Sequence, residues 1–143
     1  MNRFVLDGSV AAKWLLPSPL EPFADKAIAL LARYKDHELQ ILVPDLFWAE
    51  IGSVLWKASR TNRCTRAEAD AALENLAAQD FPTISSKDLL APAFRIAQTS
   101  GRSVYDCLYV ALAIEFNTEL VTADEKLANA MMSHYPVRLL ATM

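Results

Sequence analysis

An almost unbroken apolar run, Val104-Tyr105-Asp106-Cys107-Leu108-Tyr109-Val110-Ala111-Leu112-Ala113-Ile114, limits what this chain can become. A helix apolar on every side belongs in the middle of a domain, and Asp106 puts one carboxylate at its start. An ionised carboxylate is costly to bury without a counter-charge. No Lys or Arg lies within the run, so the partner is expected from elsewhere in the fold, as a distant basic side chain or a metal ion.

The surrounding chain supplies a setting for such a helix. Arg3-Phe4-Val5-Leu6-Asp7 reads as a short buried strand ending in an acid, and Gly8-Ser9 turns into an apolar helical segment from Val10 to Leu16. Pro17 and Pro19 break that segment. Pro22 suits the first turn of a further helix carrying Phe23, Ala27, Leu30, Leu31 and Tyr34 at helical spacing. Gln40 to Val43 is a second strand, after which Asp45 is the expected N-cap of a long helix with Phe47, Ile51, Val54, Leu55 and Ala58 on one face. Glu50 borders that face.

Thr65-Arg66-Ala67-Glu68 has the form of a capping box and opens a helix through Ala69, Ala72, Leu73 and Leu76. Phe81 to Ile84 is expected as an edge strand, because Pro82 would interrupt a central ladder. Ser86 or Asp88 is the expected cap of a helix through Leu89, Ala93 and Ile96 that stops at Ser100-Gly101, and Ser103 caps the central helix. Glu119 to Thr122, Asp124 to Met132 and Val137 to Leu140 then read as strand, short helix and strand. Alternating apolar strands and helices imply a mostly parallel sheet of four to five strands covered on both faces, a three-layer α/β/α sandwich forming one domain over residues 1–143.

Four acids fall near one end of that sheet. Asp7 closes the first strand, Asp124 follows the strand ending at Thr122, Glu50 lies in the early turns of the helix after the second strand, and Asp106 lies in the first turn of the central helix. Sites in open α/β sheets form beyond the carboxyl ends of the strands. Asp106 aligns with Val110 and Ala113, and Glu50 lies between Leu46 and Val54, so both are expected to face inward. Converging carboxylates without matching bases suit a hard divalent cation such as Mg²⁺ or Mn²⁺. Each acid also has a plainer reading: Asp7 and Asp124 as helix caps, Asp106 as a complement to a helix N-terminus. Ser9 and Thr122 read as local hydrogen-bonding groups rather than nucleophiles.

Composition narrows the classes. A net charge of −3 and a pI near 5.3 argue against a grip on nucleic acid by bulk charge. Local patches stay open: Lys57, Arg60, Arg63 and Arg66 cluster around one helix junction, and Arg102 stands beside the Asp106 helix, all candidates for phosphate contact. Lys57 and Arg60 equally suit a helix C-terminus. Trp14, Trp48, Trp56, Phe23 and Phe47 read as core residues, with some left to line a groove. Gly8, Gly52 and Gly101 make neither a P-loop nor a dinucleotide fingerprint. A haloacid-dehalogenase-like phosphatase would need an acid where Ser9 stands, and His37 and His134 lie in no triad context. Cys64 and Cys107 read as reduced thiols, and the chain as cytoplasmic, with no signal peptide or membrane span.

Asp7-Gly8-Ser9-Val10-Ala11-Ala12-Lys13-Trp14, then Pro44-Asp45 through Glu50, Val104-Tyr105-Asp106, and Val121-Thr122-Ala123-Asp124 together resemble the PIN domain, and most of all the VapC toxins of toxin–antitoxin pairs. The resemblance covers nearly the whole chain, and its motifs occur in family order. It implies an endoribonuclease using Mg²⁺ or Mn²⁺, with catalytic and metal-binding acids Asp7, Glu50, Asp106 and Asp124 supported by Ser9 and Thr122. Related toxins more often carry Ala or Thr where this chain has Gly8. The resemblance further implies an RNA substrate, a VapB-type antitoxin that puts a basic side chain into the acid pocket, homodimers and toxin–antitoxin hetero-oligomers. The alternative is a PIN fold with an idle site, serving as a protein-binding or regulatory module.

Overall fold

The computed structural model describes residues 2–16 and 21–143. The expected break at Pro17 and Pro19 lies outside the described residues. Five strands, β1 (Asn2–Leu6), β2 (Leu39–Pro44), β3 (Thr83–Ile84), β4 (Leu120–Thr122) and β5 (Val137–Leu139), form one sheet in the order β3-β2-β1-β4-β5, with every pairing parallel. Seven helices among the described residues connect them: α1 (Gly8–Leu15), α2 (Ala24–Lys35), α3 (Leu46–Arg60), α4 (Arg66–Ala77), α5 (Ser86–Ser100), α6 (Val104–Glu115) and α7 (Glu125–Met131). A 3₁₀ turn, Leu140–Thr142, takes up Leu140 in place of the longer last strand expected.

Consecutive residues along the central strands are buried, Val5 with Leu6 and Leu120 through Thr122, so both faces of the sheet are covered. Val/Ile/Leu-rich strands without alternation are what such a sheet requires. Helix α6 packs on β1, β2 and β4 with α5 beside it, and Cys107 through Ala113 are all buried. That is the burial its all-round apolar sequence implies. Short β3 lies at the sheet edge, where Pro82 accepts from Val43 N–H through its carbonyl at 3.1 Å and needs to donate nothing.

Several expected caps are in place and others move. Thr65 and Glu68 form the reciprocal capping box, and Ser103 accepts from Asp106 N–H at 3.1 Å. Helix α5 is capped by Ser85, not Ser86 or Asp88, because Ser85 has the extended backbone a cap needs. Asp45 precedes α3 but does not cap it, since its backbone is already helical and its carboxylate instead accepts from the Ser86 hydroxyl. Pro22 stands before α2 rather than in its first turn, with Phe23 in the left-handed region between them.

Phe81 gathers an aromatic cluster, edge-on to Tyr34 at 5.0 Å and stacked with Trp48 at 5.9 Å, with Trp14 and Phe47 also around it. Trp14, Trp48 and Phe47 thus belong to the interior as expected. Phe23 and Trp56 do not: both are exposed, Trp56 to 60%. Both cysteines are free thiols. Among the described residues no helix is long and apolar enough to cross a membrane.

Candidate active site

Strand β1 runs beside β4, and this neighbourhood delivers the first acid to the second hydroxyl. Asp7, only 8% exposed, follows β1 and caps α1, its Oδ1 accepting from Ser9 N–H at 3.1 Å and from the Ser9 hydroxyl at 2.5 Å. Its Oδ2 accepts from Thr122 Oγ1 at 2.6 Å. Ser9 Oγ in turn accepts from Ala123 N–H at 2.9 Å, and Thr122 Oγ1 from Asp124 N–H at 3.1 Å. Both hydroxyls therefore present their protons to the carboxylate, a positioning role that agrees with reading them as local hydrogen-bonding groups.

Burial pushes the Asp7 carboxyl up to about 6 against the pull of these hydroxyls, with the nearby Glu50 charge raising it further. Glu50 sits in the second turn of α3 and accepts from the Tyr109 hydroxyl of α6. Its carboxyl is also raised, by burial first and then by Asp106, while the Tyr109 bond works the other way. Burial and the Glu50 charge hold Tyr109 well above the usual phenol range, so it stays protonated and donates. A Cβ on Gly8 would meet Glu50 Oε2 at 3.3 Å, so the missing side chain lets that carboxylate lie against the start of α1.

Asp106 departs from expectation. Its side chain is 33% exposed rather than enclosed, and its partner is local: Arg102, four residues earlier, donates from Nη2 to Oδ2 at 3.2 Å. The i, i+4 spacing of the pair is legible in the sequence, with Arg102 two residues ahead of the apolar run. Arg102 is thereby tied to Asp106. Asp124 is exposed and caps α7 by accepting from Leu127 N–H at 3.1 Å, its plainer reading, and connects to Asp7 through Thr122. Tyr109 has no motif to mark it in the sequence beyond standing three residues after Asp106 on the same helical face.

Asp7 thus feels the charge of Glu50, and Glu50 that of Asp106, and no cation lies within ion-pair distance of Asp7 or Glu50 among the described residues. The donor set is oxygen only and anionic, as a hard divalent cation requires. Among the described residues no three acids, histidines or thiols stand close enough to ligate one ion together. A cation would be held here by one or two carboxylates and completed by water, which is the ordinary habit of Mg²⁺. The residues fit such an ion on that basis.

Of the basic candidates, Lys57, Arg60, Arg63 and Arg66 are all exposed around the α3–α4 junction, away from the acids. Arg60 lies over the Trp56 ring, 5.1 Å from its centroid.

Comparison with known proteins bears on the family and the fold. The PIN domain family matches residues 4–131. Ribonuclease VapC3 of Pyrobaculum aerophilum is 33% identical over 129 residues, covering 88% of this chain and 92% of its own. Among solved structures, PAE2754 from Pyrobaculum aerophilum superposes with a TM-score of 0.69 at 24% identity, over 99% of this chain and 85% of its own. A toxin–antitoxin complex from Klebsiella pneumoniae contains a chain similar at a TM-score of 0.62 and 16% identity, over 95% of this chain and 96% of that one.

Proposed function

Because the chain belongs to the PIN-domain family, on the side of its VapC ribonucleases, we propose that it is a metal-dependent endoribonuclease. In this reading it is the toxin of a type II toxin–antitoxin pair, acting as a single domain over residues 1–143. The observation that carries the reading is Asp7: a buried carboxylate oriented by two hydroxyls and crowded by Glu50, with no base beside it among the described residues.

One or two of the carboxylates of Asp7, Glu50 and Asp106 would hold Mg²⁺ or Mn²⁺ directly, with the remaining acid and Asp124 acting through metal-bound water. The ion supplies charge neutralisation at the phosphodiester and a lowered pKa for the attacking water. Ser9 and Thr122 keep Asp7 in one orientation, and Tyr109 does the same for Glu50, so neither carboxylate has to reorganise when the phosphate arrives. Arg102 shields Asp106 in the metal-free protein. An antitoxin of the VapB type is the proposed partner, with homodimers and toxin–antitoxin hetero-oligomers as the assemblies; the Klebsiella pneumoniae neighbour, itself described as a toxin–antitoxin complex, supports this.

The test is RNA hydrolysis by the purified protein with Mg²⁺ or Mn²⁺, with EDTA, and with Asp106→Asn, alongside Mn²⁺ binding by calorimetry. Cleavage that needs the metal and is lost with Asp106→Asn supports the reading. Equal cleavage by the variant removes Asp106 from the site. If neither protein binds Mn²⁺ nor cuts RNA, the idle, protein-binding alternative replaces the enzyme.

A further inference from the structure

The junction of α3 and α4 concentrates positive charge in an acidic protein. Between Glu50 and Glu68 the chain carries no acid but holds four of its 14 basic residues, Lys57, Arg60, Arg63 and Arg66. All four are exposed, and none has an acid within ion-pair distance among the described residues. Complementing the end of α3 does not account for them. The Trp56 carbonyl already accepts from Ser59 Oγ at 3.0 Å, and the Lys57 carbonyl from Thr61 Oγ1 at 2.8 Å and Thr61 N–H at 3.0 Å.

Trp56 lies in the middle of this patch, 60% exposed, with the Arg60 guanidinium over its ring at 5.1 Å. An exposed tryptophan roofed by an arginine, with three further exposed basic residues along the same junction, has the two parts of a single-strand site, a surface for a base and charge for the backbone. Lys57 is seven residues beyond Glu50 on the same stripe of α3, about 10 Å along the axis by helical rise.

We propose that Trp56 and Arg60 form a base-stacking platform for a single-stranded segment of RNA, with Lys57 and Arg63 on its phosphates. This rests on the ribonuclease reading and adds a binding site to it. Single-stranded loops and ends would be bound in preference to duplex, and the choice would depend little on sequence, since every base has a face to stack.

The test is fluorescence anisotropy of a labelled mixed-sequence RNA of about 12 nucleotides, within the usual span of single-strand sites, in EDTA so that nothing is cut. Expected are quenching of tryptophan emission on binding, affinity roughly tenfold or more weaker in Trp56→Ala, and near-complete recovery in Trp56→Phe. Arg60→Gln should lower the slope of log affinity against log salt by about 1. Thermal melting of each variant separates a lost platform from a lost fold, and an exposed side chain should leave the melting point nearly unchanged.

If Trp56→Ala binds RNA as the native protein does, or the same RNA annealed to its complement binds equally well, the platform is overturned while the ribonuclease reading stands. If that unchanged affinity comes with a change in sedimentation from dimer to monomer, the surface is a protein interface instead. If the native protein neither binds the single strand in EDTA nor cuts RNA with Mn²⁺, the ribonuclease reading itself fails and the platform with it.

Discussion

Asp7 is the residue at which stability and chemistry oppose each other. Its carboxyl is raised from 3.8 to about 6, so the folded chain holds a proton there that the unfolded chain has released. Between about pH 4 and pH 6 the group's ionisation increasingly favours the unfolded state, reaching about 3 kcal/mol by pH 7 at 1.36 kcal/mol per unit. The metal-free protein should therefore lose that much stability from pH 4 to pH 7 at this site, and Asp7→Asn should recover on the order of 1–3 kcal/mol at pH 7 while flattening the dependence. Urea denaturation in EDTA across that range measures both. Divalent metal competes with the same proton, so Mn²⁺ affinity should fall as pH drops through about 6, which calorimetry at several pH values reads directly. Tyr109→Phe removes the donor to Glu50 without altering the packing volume. Its expected result is a 10- to 100-fold loss of metal affinity or cleavage, the usual size for a supporting hydrogen bond, with the melting point nearly kept. These residues differ in how far the sequence reveals them. Asp7, Ser9 and Thr122 stand in local motifs and read easily. Tyr109 lies 59 residues from Glu50, and no spacing rule joins them.

Helices carry the site through their ends. Ser103 accepts from the Asp106 N–H, so the first turn of α6 and the acid it bears are fixed by one hydroxyl. Ser103→Ala should cost about 1 kcal/mol of stability, the usual value of a cap, and lower cleavage as well. Thr65→Ala should cost about the same in stability through the α4 capping box. It lies beside the basic patch rather than the acids, so its cleavage at saturating Mn²⁺ and RNA should be unchanged. Comparing the two by melting and by rate separates loss of a helix from loss of a positioned acid. Sequence located both caps because the cap bond is local. It misplaced the cap of α5, where Ser85, Ser86 and Asp88 all have the right chemistry and only the backbone at Ser85 decides. At Asp45 it chose a suitable residue whose carboxylate is engaged across the fold by Ser86.

At the scale of the whole molecule, the alternation of apolar strands and helices was enough to expect a parallel sheet, but strand order lay beyond it. Nothing in β1 announces that β2 and β4 flank it, because that choice is made by helices α1, α6 and α7 packing against both faces. If the acids take up a divalent ion, the folded state alone should bind it, and the melting point should rise with Mn²⁺ concentration by mass action. The same rise should be absent in Asp106→Asn. The bond from Thr122 to Asp7 joins positions 115 residues apart, so Asp7 is made early and clasped late. During synthesis the chain emerges from a machine built of RNA, while the partner strand of its first acid has yet to be translated. On the ribonuclease reading, such a chain has no finished acid pocket until Thr122 has left the ribosome, which would delay cutting to the stage at which a second protein can bind the completed fold.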